Sequence, residues 1–115
     1  MKEKDKFIRK KSDYDRIFKE GKRIYNPYFS ILFTKADLNS RLGIILSKKT
    51  GNAVKRNLIK RRIRHIWKMV EPVLEYKADF LIIPKPNIIQ ISFNEMKNEI
   101  QRKFLKVYIE NYTSI

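Results

Sequence analysis

Cysteine is absent from the 115 residues. That excludes disulfides, zinc–thiolate sites and thiol nucleophiles together, and it is compatible with a reducing cytosol. No apolar stretch approaches the roughly 18 residues that a membrane-spanning helix needs. The first twelve residues, M-K-E-K-D-K-F-I-R-K-K-S, are charged throughout and lack the apolar core of a secretory signal, so a cytoplasmic protein is the expectation. Internal repeats and low-complexity linkers are missing as well. Carboxylates are scarce, with 12 Asp and Glu against 27 Lys and Arg, and His65 is the one histidine. No His-x-x-x-His arrangement occurs. A protein-only hydrolase needs a metal cage or an acid/base pair, so no catalytic and no metal-ligating residue is nominated.

What is present is a moderately apolar chain, 43% hydrophobic, long enough for one domain with one core. Residues 1–11 are expected to be frayed or extended and 110–115 to fray at the C-terminus. The most lopsided stretch is Lys48–Lys68, K-K-T-G-N-A-V-K-R-N-L-I-K-R-R-I-R-H-I-W-K, with nine Lys or Arg and no Asp or Glu. Nine of the net fifteen positive charges therefore lie in this run, which leaves six on the other 94 residues. A solvated surface helix normally mixes charge signs, because like charges repel along one face. A face this one-sided costs stability unless a polyanion neutralises it, and nucleic acid is the natural candidate.

Periodicity and breakers suggest the order helix, strands, long helix, strand, helix. Ser12 is placed as the cap of a short helix, with Asp15 as a weaker capping-box partner; that helix carries Tyr14, Ile17 and Phe18 and stops near Gly21. Arg23 to Thr34 reads as a short strand, a turn at Asn26-Pro27 and a longer strand. Arg41 to Ser47 reads as a further strand forming a hairpin with the preceding one. Gly51-Asn52 marks a turn, and Asn52 caps a helix from about Ala53 to Val70 that stops before Pro72. Residues 79–84 look like a buried strand and Lys85 to Ile91 like a loop or irregular edge. Ser92 or Asn94 opens a last helix carrying Met96, Ile100, Phe104, Val107 and Tyr108. The class is α+β, a small mixed sheet with helices packed mainly on one face.

At about 100° per residue, Arg56, Lys60, Arg64 and Lys68 form a four-residue ladder, with Asn57 and Arg61 on the same side. Val54, Leu58, Ile59, Ile63, Ile66, Met69 and Val70 fill the opposite arc and are assigned to the core. Lys55 and Arg62 fall inside that arc and are expected to snorkel. Trp67 lies on the border, covering the sheet edge or stacking on a partner. Arg matches phosphate oxygens with a planar fork and Lys supplies a mobile point charge. Asn57 can read a base edge or a ribose hydroxyl, and the backbone N–H groups beside Asn52 suit a phosphate. His65 reads as a packing or RNA-contacting histidine.

The segment S-K-K-T-G-N-A-V-K-R-N-L-I-K-R-R-I-R resembles the signature of the protein subunit of bacterial ribonuclease P. The pattern falls on Ser47, Lys48, Lys49, Gly51, Ala53, Val54, Arg56, Asn57, Lys60, Arg61 and Arg64. Tyr14 to Gly21, Phe29 to Phe33, Arg41 to Ile45 and Asp79 to Ile83 resemble flanking elements of the same family. Departures are His65 where Glu is usual, Arg62 where an apolar residue is common, and Leu32 where an aromatic one is often found. The resemblance implies an α-β-β-β-α-β-α sandwich with a left-handed β-α-β crossover. It implies that Lys48, Lys49, Asn52, Arg56, Asn57, Lys60, Arg61, Arg64 and Lys68 bind the catalytic RNA subunit. It further implies that the protein holds the single-stranded 5′ leader of precursor tRNA, and that the RNA cleaves with Mg2+, no cofactor being intrinsic to the protein. Tyr14, Phe18, Lys22, Ser30, Leu32, Ser47 and Lys49 are assigned to the leader. Tyr14 and Phe18, one turn apart, can stack on any base, although core packing explains either equally well. Phe29, Ile31 and Phe33 are assigned to the core face of their strand, and Tyr28, Ser30 and Leu32 to the more exposed one.

Composition alone fits a non-catalytic, ribosomal-type structural-RNA binder equally well, and only the signature favours ribonuclease P. DNA is not expected as a partner, because no short helix precedes the basic helix as helix-turn-helix requires. A membrane surface is not expected either, because Lys55 and Arg62 interrupt the apolar arc.

Overall fold

The computed structural model describes residues 6–113. Along the chain it places α1 (Lys11–Glu20), β1 (Lys22–Tyr25), β2 (Phe29–Lys35), β3 (Arg41–Ile44), α2 (Ala53–Val70), β4 (Ala78–Pro84) and α3 (Phe93–Asn111). Short 3₁₀ turns occupy Lys48–Thr50, Glu71–Val73 and Pro86–Gln90, the last in the stretch expected to be a loop. The architecture is α+β, a mixed four-stranded sheet in the order β1-β2-β4-β3.

The expected β2–β3 hairpin does not form. β4 inserts between them, antiparallel to β2 and parallel to β3. Its run A-D-F-L-I-I-P is buried at nearly every position, and such a continuous apolar strand stabilises the sheet most where both faces are covered. The shorter β3, which contains Gly43, takes the edge. Residues 6–10, expected to be frayed or extended, are extended and pinned against that edge. Phe7 bridges Leu42 in parallel, and the Ile8 and Leu42 amides donate to Leu42 and Lys6 carbonyls at 2.9 and 3.0 Å.

Two of the three helices pack on one face of the sheet, as expected, and the short α1 covers the other. α2 and α3 close the main core over Phe29, Ile31, Phe33, Leu42, Phe80 and Ile82. On the opposite face Ile17 of α1 joins Ile8, Leu32 and Leu81, with Tyr14, Ile45 and Ile83 packed around them. The parity assigned to β2 is therefore right for Phe29, Ile31 and Phe33. It is corrected for Ser30 and Leu32, which are buried rather than exposed because α1 lies over that side. Alternation cannot reveal this, since a strand covered on both faces is apolar at successive positions.

α2 spans the residues its sequence suggests. Asn52 Oδ1 accepts from the Lys55 amide at 3.0 Å, and Gly51 supplies the positive φ of 136° that the preceding turn needs. The buried sector is narrower and rotated from the expected arc, comprising Ile59, Ile63, Ile66, Trp67 and Val70. Val54 is 76% exposed and Met69 is also outside the core. Trp67 is a core residue. Its Nε1–H donates to the Lys6 carbonyl at 2.9 Å, and its ring meets Phe80 and Phe104 edge-on at 5.8 Å. Lys55 needs no snorkelling, because the rotation leaves it exposed; Arg62 is half-buried.

α1 begins one residue before Ser12. Lys10 takes the cap position and no side chain caps the helix, so the Ser12 cap with Asp15 is not formed. Gly21 ends α1 as expected, its amide donating to the Ile17 carbonyl at 2.8 Å. Ser92 is the cap of α3, its Oγ accepting from the Glu95 amide at 3.1 Å, and Met96, Ile100, Phe104 and Val107 are buried. The expected fraying from 110 does not apply over the described residues. α3 runs to Asn111, and Tyr112 packs on Tyr76 at 4.4 Å while its hydroxyl donates to the Lys77 carbonyl at 3.0 Å. Among the described residues no helix is long and apolar enough to cross a membrane.

Candidate nucleic-acid interface

The cationic surface begins at the turn that leaves β3. Lys48, Lys49 and Asn52 are exposed there, and along α2 so are Asn57, Arg61, Arg64 and Lys68. Arg56 and Lys60 are half-buried. Together with Asn57 they border a concavity of about 450 Å3 floored by Ile44, Ile45, Leu46 and Ala53. Arg64 lies over the Phe7 ring, 5.8 Å from its centroid. Among the described residues, the ion pairs join Lys11, Arg16, Arg41, Arg102 and Lys106 to carboxylates and involve none of the nine cations of Lys48–Lys68. The stripe thus has its apolar side fixed in the core and its charge uncompensated. His65 is exposed and packs edge-on against Phe93 at 5.5 Å.

A second surface forms on the α1 side of the sheet. Strand pairing lines up three rows across it. The first is Thr34, Asp79 and Arg41; the second is Arg23, Leu32, Leu81 and Gly43; the third is Tyr25, Ser30 and Ile83, with Ile45 beside Ile83. α1 is clamped over the first row. Asp79, buried to 6% side-chain exposure, accepts from Arg16 Nη2 at 3.0 Å and from Arg41 Nη2 and Nε at 2.9 and 3.1 Å. Arg16 also donates to Thr34 Oγ1 at 3.0 Å, and Arg41 to Asp13 Oδ2 at 3.3 Å. The Asp79 hydrogen bond holds the Arg41 guanidinium protonated still more firmly than an ordinary arginine. Asp13 and Arg16 share one flank of α1, so Tyr14 and Phe18 take the other, toward the third row.

Tyr14 lies flat over Gly43. A Cβ built there would come within 2.8 Å of its ring and 2.6 Å of Leu81 Cδ2, so glycine is what admits the ring. The Tyr14 hydroxyl donates to the Ile8 carbonyl at 3.2 Å. Phe18 is 46% exposed. Ser47 and Lys49 are exposed where the chain leaves β3, at the α2 end of the same face. Tyr14 and Phe18 thus edge the α1 side of the sheet, the candidate groove, where Ser30 and Leu32 are buried, and Ser47 and Lys49 lie exposed past the end of β3. Lys22 does not join them. It shares the side of Phe33, toward α3, and donates to Asn111 Oδ1 at 3.0 Å. Arg23, its neighbour, is the β1 cation on the groove side. The sequence signal for that choice was strict alternation in K-R-I-Y, which assigns a face only once one partner's face is known. The clamp is not legible in the sequence, because the residues it ties across the sheet lie 18 to 63 positions apart.

The chain was compared with known proteins. The family model described as ribonuclease P matches residues 1–108. A ribonuclease P protein component of Syntrophus aciditrophicus is 37% identical over 98 residues, covering 84% of this chain and 82% of that one. Among solved structures, the RNase P protein from Thermotoga maritima superposes with a TM-score of 0.79 at 31% identity, covering 87% of this chain and 96% of that one. The Staphylococcus aureus RNase P protein gives 0.78 at 33% identity, covering 90% and 95%.

Proposed function

Because the chain belongs to the ribonuclease P protein family, and so to the protein subunits of a tRNA-processing endoribonuclease, we propose that it works by binding and positioning RNA. The cationic face of α2 docks on the catalytic RNA subunit. The α1 side of the sheet receives the 5′ leader of precursor tRNA. The RNA subunit cuts the leader in a Mg2+-dependent reaction, giving the mature 5′ end. The observation that carries this reading is the stripe of exposed and half-buried Lys and Arg along α2, none of them in an ion pair among the described residues, fixed in place by the buried Ile59–Ile63–Ile66–Trp67–Val70 sector.

The residues of this chain do not suit a resident Mg2+. The carboxylates that come together, Asp13 and Asp79, are both engaged by Arg16 and Arg41, and among the described residues no three His, Cys, Asp or Glu side chains cluster as ligands. The protein's part is therefore electrostatic and geometric. Its guanidinium groups displace counterions from crowded phosphates, and its groove extends substrate contact beyond the tRNA body. The test is reconstitution: the protein, the RNA subunit and a precursor tRNA are combined in low Mg2+ and each is omitted in turn. The proposal expects cleavage that needs the RNA and is raised by the protein. A protein that cuts alone, or that never assists the RNA, ends it.

A further inference from the structure

β1 is the sheet edge opposite β3, the strand from which the chain turns into α2. Arg23 and Tyr25 share the groove side, opposite Leu32 and Ser30. Tyr25 is 66% exposed, and the Arg23 guanidinium lies 5.8 Å from its ring centroid. An exposed ring with a cation held beside it offers a base-stacking surface and a phosphate contact together. We propose that Arg23 and Tyr25 form a distal leader site, binding a single-stranded nucleotide upstream of those held at Tyr14 and Phe18. This rests on the leader reading above and adds two residues to it.

Polarity follows from the sheet order. The bond to be cut, at the junction of leader and tRNA body, is held at the RNA subunit docked on α2, so the leader enters the groove at the Ser47–Lys49 end, beside β3. Crossing from β3 to β1 spans three strand spacings, about 14 Å. At a stacked rise of about 3.4 Å that distance takes roughly four nucleotides. A leader of two nucleotides falls short of β1, and one of eight passes over it. The site therefore distinguishes leaders by length while tolerating any base, because every base has a π-face.

The experiment measures the affinity of the reconstituted RNA–protein complex for precursor tRNAs with two-nucleotide and eight-nucleotide leaders. Tyr25→Ala is expected to weaken the long-leader substrate roughly five- to 150-fold, the range of one lost base stack, and to leave the short one unchanged. Tyr25→Phe keeps the ring and retains the affinity. Arg23→Ala is expected to lower the salt slope for the long-leader substrate by about 0.7, the value for one single-strand phosphate. Lys22→Ala, one residue away on the other face, is expected to leave the slope unchanged. Urea midpoints of the free proteins verify that these exposed substitutions leave the fold intact. If Tyr25→Ala binds both substrates as the parent does while Phe18→Ala still discriminates between them, the distal site is wrong and the leader groove stands. If Lys22→Ala matches Arg23→Ala, the effect is diffuse charge and the site is again wrong. If the parent complex itself shows no leader dependence, the groove reading falls and this site with it.

Discussion

Asp79→Asn tests how the groove is held open. The carboxylate is buried and accepts three charged hydrogen bonds from two arginines, at 2.9, 3.0 and 3.1 Å. Asparagine keeps the volume but removes the charge, and its amide group sets a donor against a guanidinium. Removing one partner of a buried ion pair typically costs about 3–5 kcal/mol. Here Arg16 and Arg41 retain 36% and 26% side-chain exposure and Asp13 remains beside both, so water and Asp13 recover part of that. A loss of roughly 2–3 kcal/mol is expected, read from urea unfolding at unchanged slope. Because the clamp ties α1 to the sheet, affinity for leader-bearing substrate should fall while affinity for the RNA subunit, set by α2, should not. A double-mutant cycle with Arg41→Gln isolates the pair and should return a coupling of about 1–3 kcal/mol. Coupling below about 0.5 kcal/mol, which is the error of additivity, would refute the clamp. Equal loss of RNA-subunit binding would refute its confinement to α1.

Other substitutions probe the remaining elements. Arg61→Ala, at an exposed position of the α2 stripe, should weaken RNA-subunit binding without moving the urea midpoint, and should lower the slope of log affinity against log salt by about 0.7–0.9; a flat salt response in the parent would count against the stripe. Gly43→Ala must displace the Tyr14 ring or Leu81, both within 3.0 Å of the added carbon; a loss of about 1–3 kcal/mol by urea unfolding is expected, with weaker leader binding beside it. Asn52→Ala removes the cap that the Lys55 amide uses and should cost about 1 kcal/mol, and its helix-specific signature is faster amide exchange in the first turn of α2. Burial pushes the Tyr112 hydroxyl up to about 12 from the ordinary 10. The folded state then holds its proton more tightly than the unfolded one, so stability should decline as pH climbs from 10 toward 12, a trend that Tyr112→Phe should blunt.

What could be read from the chain was local or came in strong periods. The bounds of α2, its Asn52 cap and the Met96–Ile100–Phe104–Val107 stripe of α3 each follow from residues a few positions apart. The differences in sheet order and burial share one cause, the choice of long-range partners, whereas the absent Ser12 cap is a local one. Nothing between Lys35 and Arg41 announces that β4 will insert there, so sequence proximity alone pairs β2 with β3. The burial of Ser30 and Leu32 depends on α1 crossing the second face, and Trp67 became core because residues 6–8 close over it through the Lys6 carbonyl. In the candidate site the α2 stripe was legible for the same local reason. The groove was legible as a set of residue types, through the family resemblance, but not as a surface, which is why Lys22 was chosen over Arg23.

On the function proposed above, in which the RNA subunit cuts and this chain positions, the same sheet order explains how the two candidate RNA-binding surfaces act together. Gly43 of β3 and Ile45 just past its end lie on the α1 side of the sheet, and eight residues past Ile45 the chain enters α2. The two RNA-facing surfaces are therefore joined by one short turn, Lys48–Thr50, that packs against the Pro86–Gln90 turn and is capped into α2 through Gly51 and Asn52. A rigid joint of this kind fixes the angle between whatever docks on α2 and whatever lies along the sheet. Fixing that angle in advance lowers the entropic cost of bringing a flexible leader to the catalytic RNA. On this account the Ser47–Asn52 turn serves chiefly as a spacer. Lengthening it by two glycines should leave binding to each RNA separately near its parent value, yet remove the gain in leader-bearing substrate affinity that comes from engaging both at once. An insertion that leaves that gain intact would show that the two surfaces act independently.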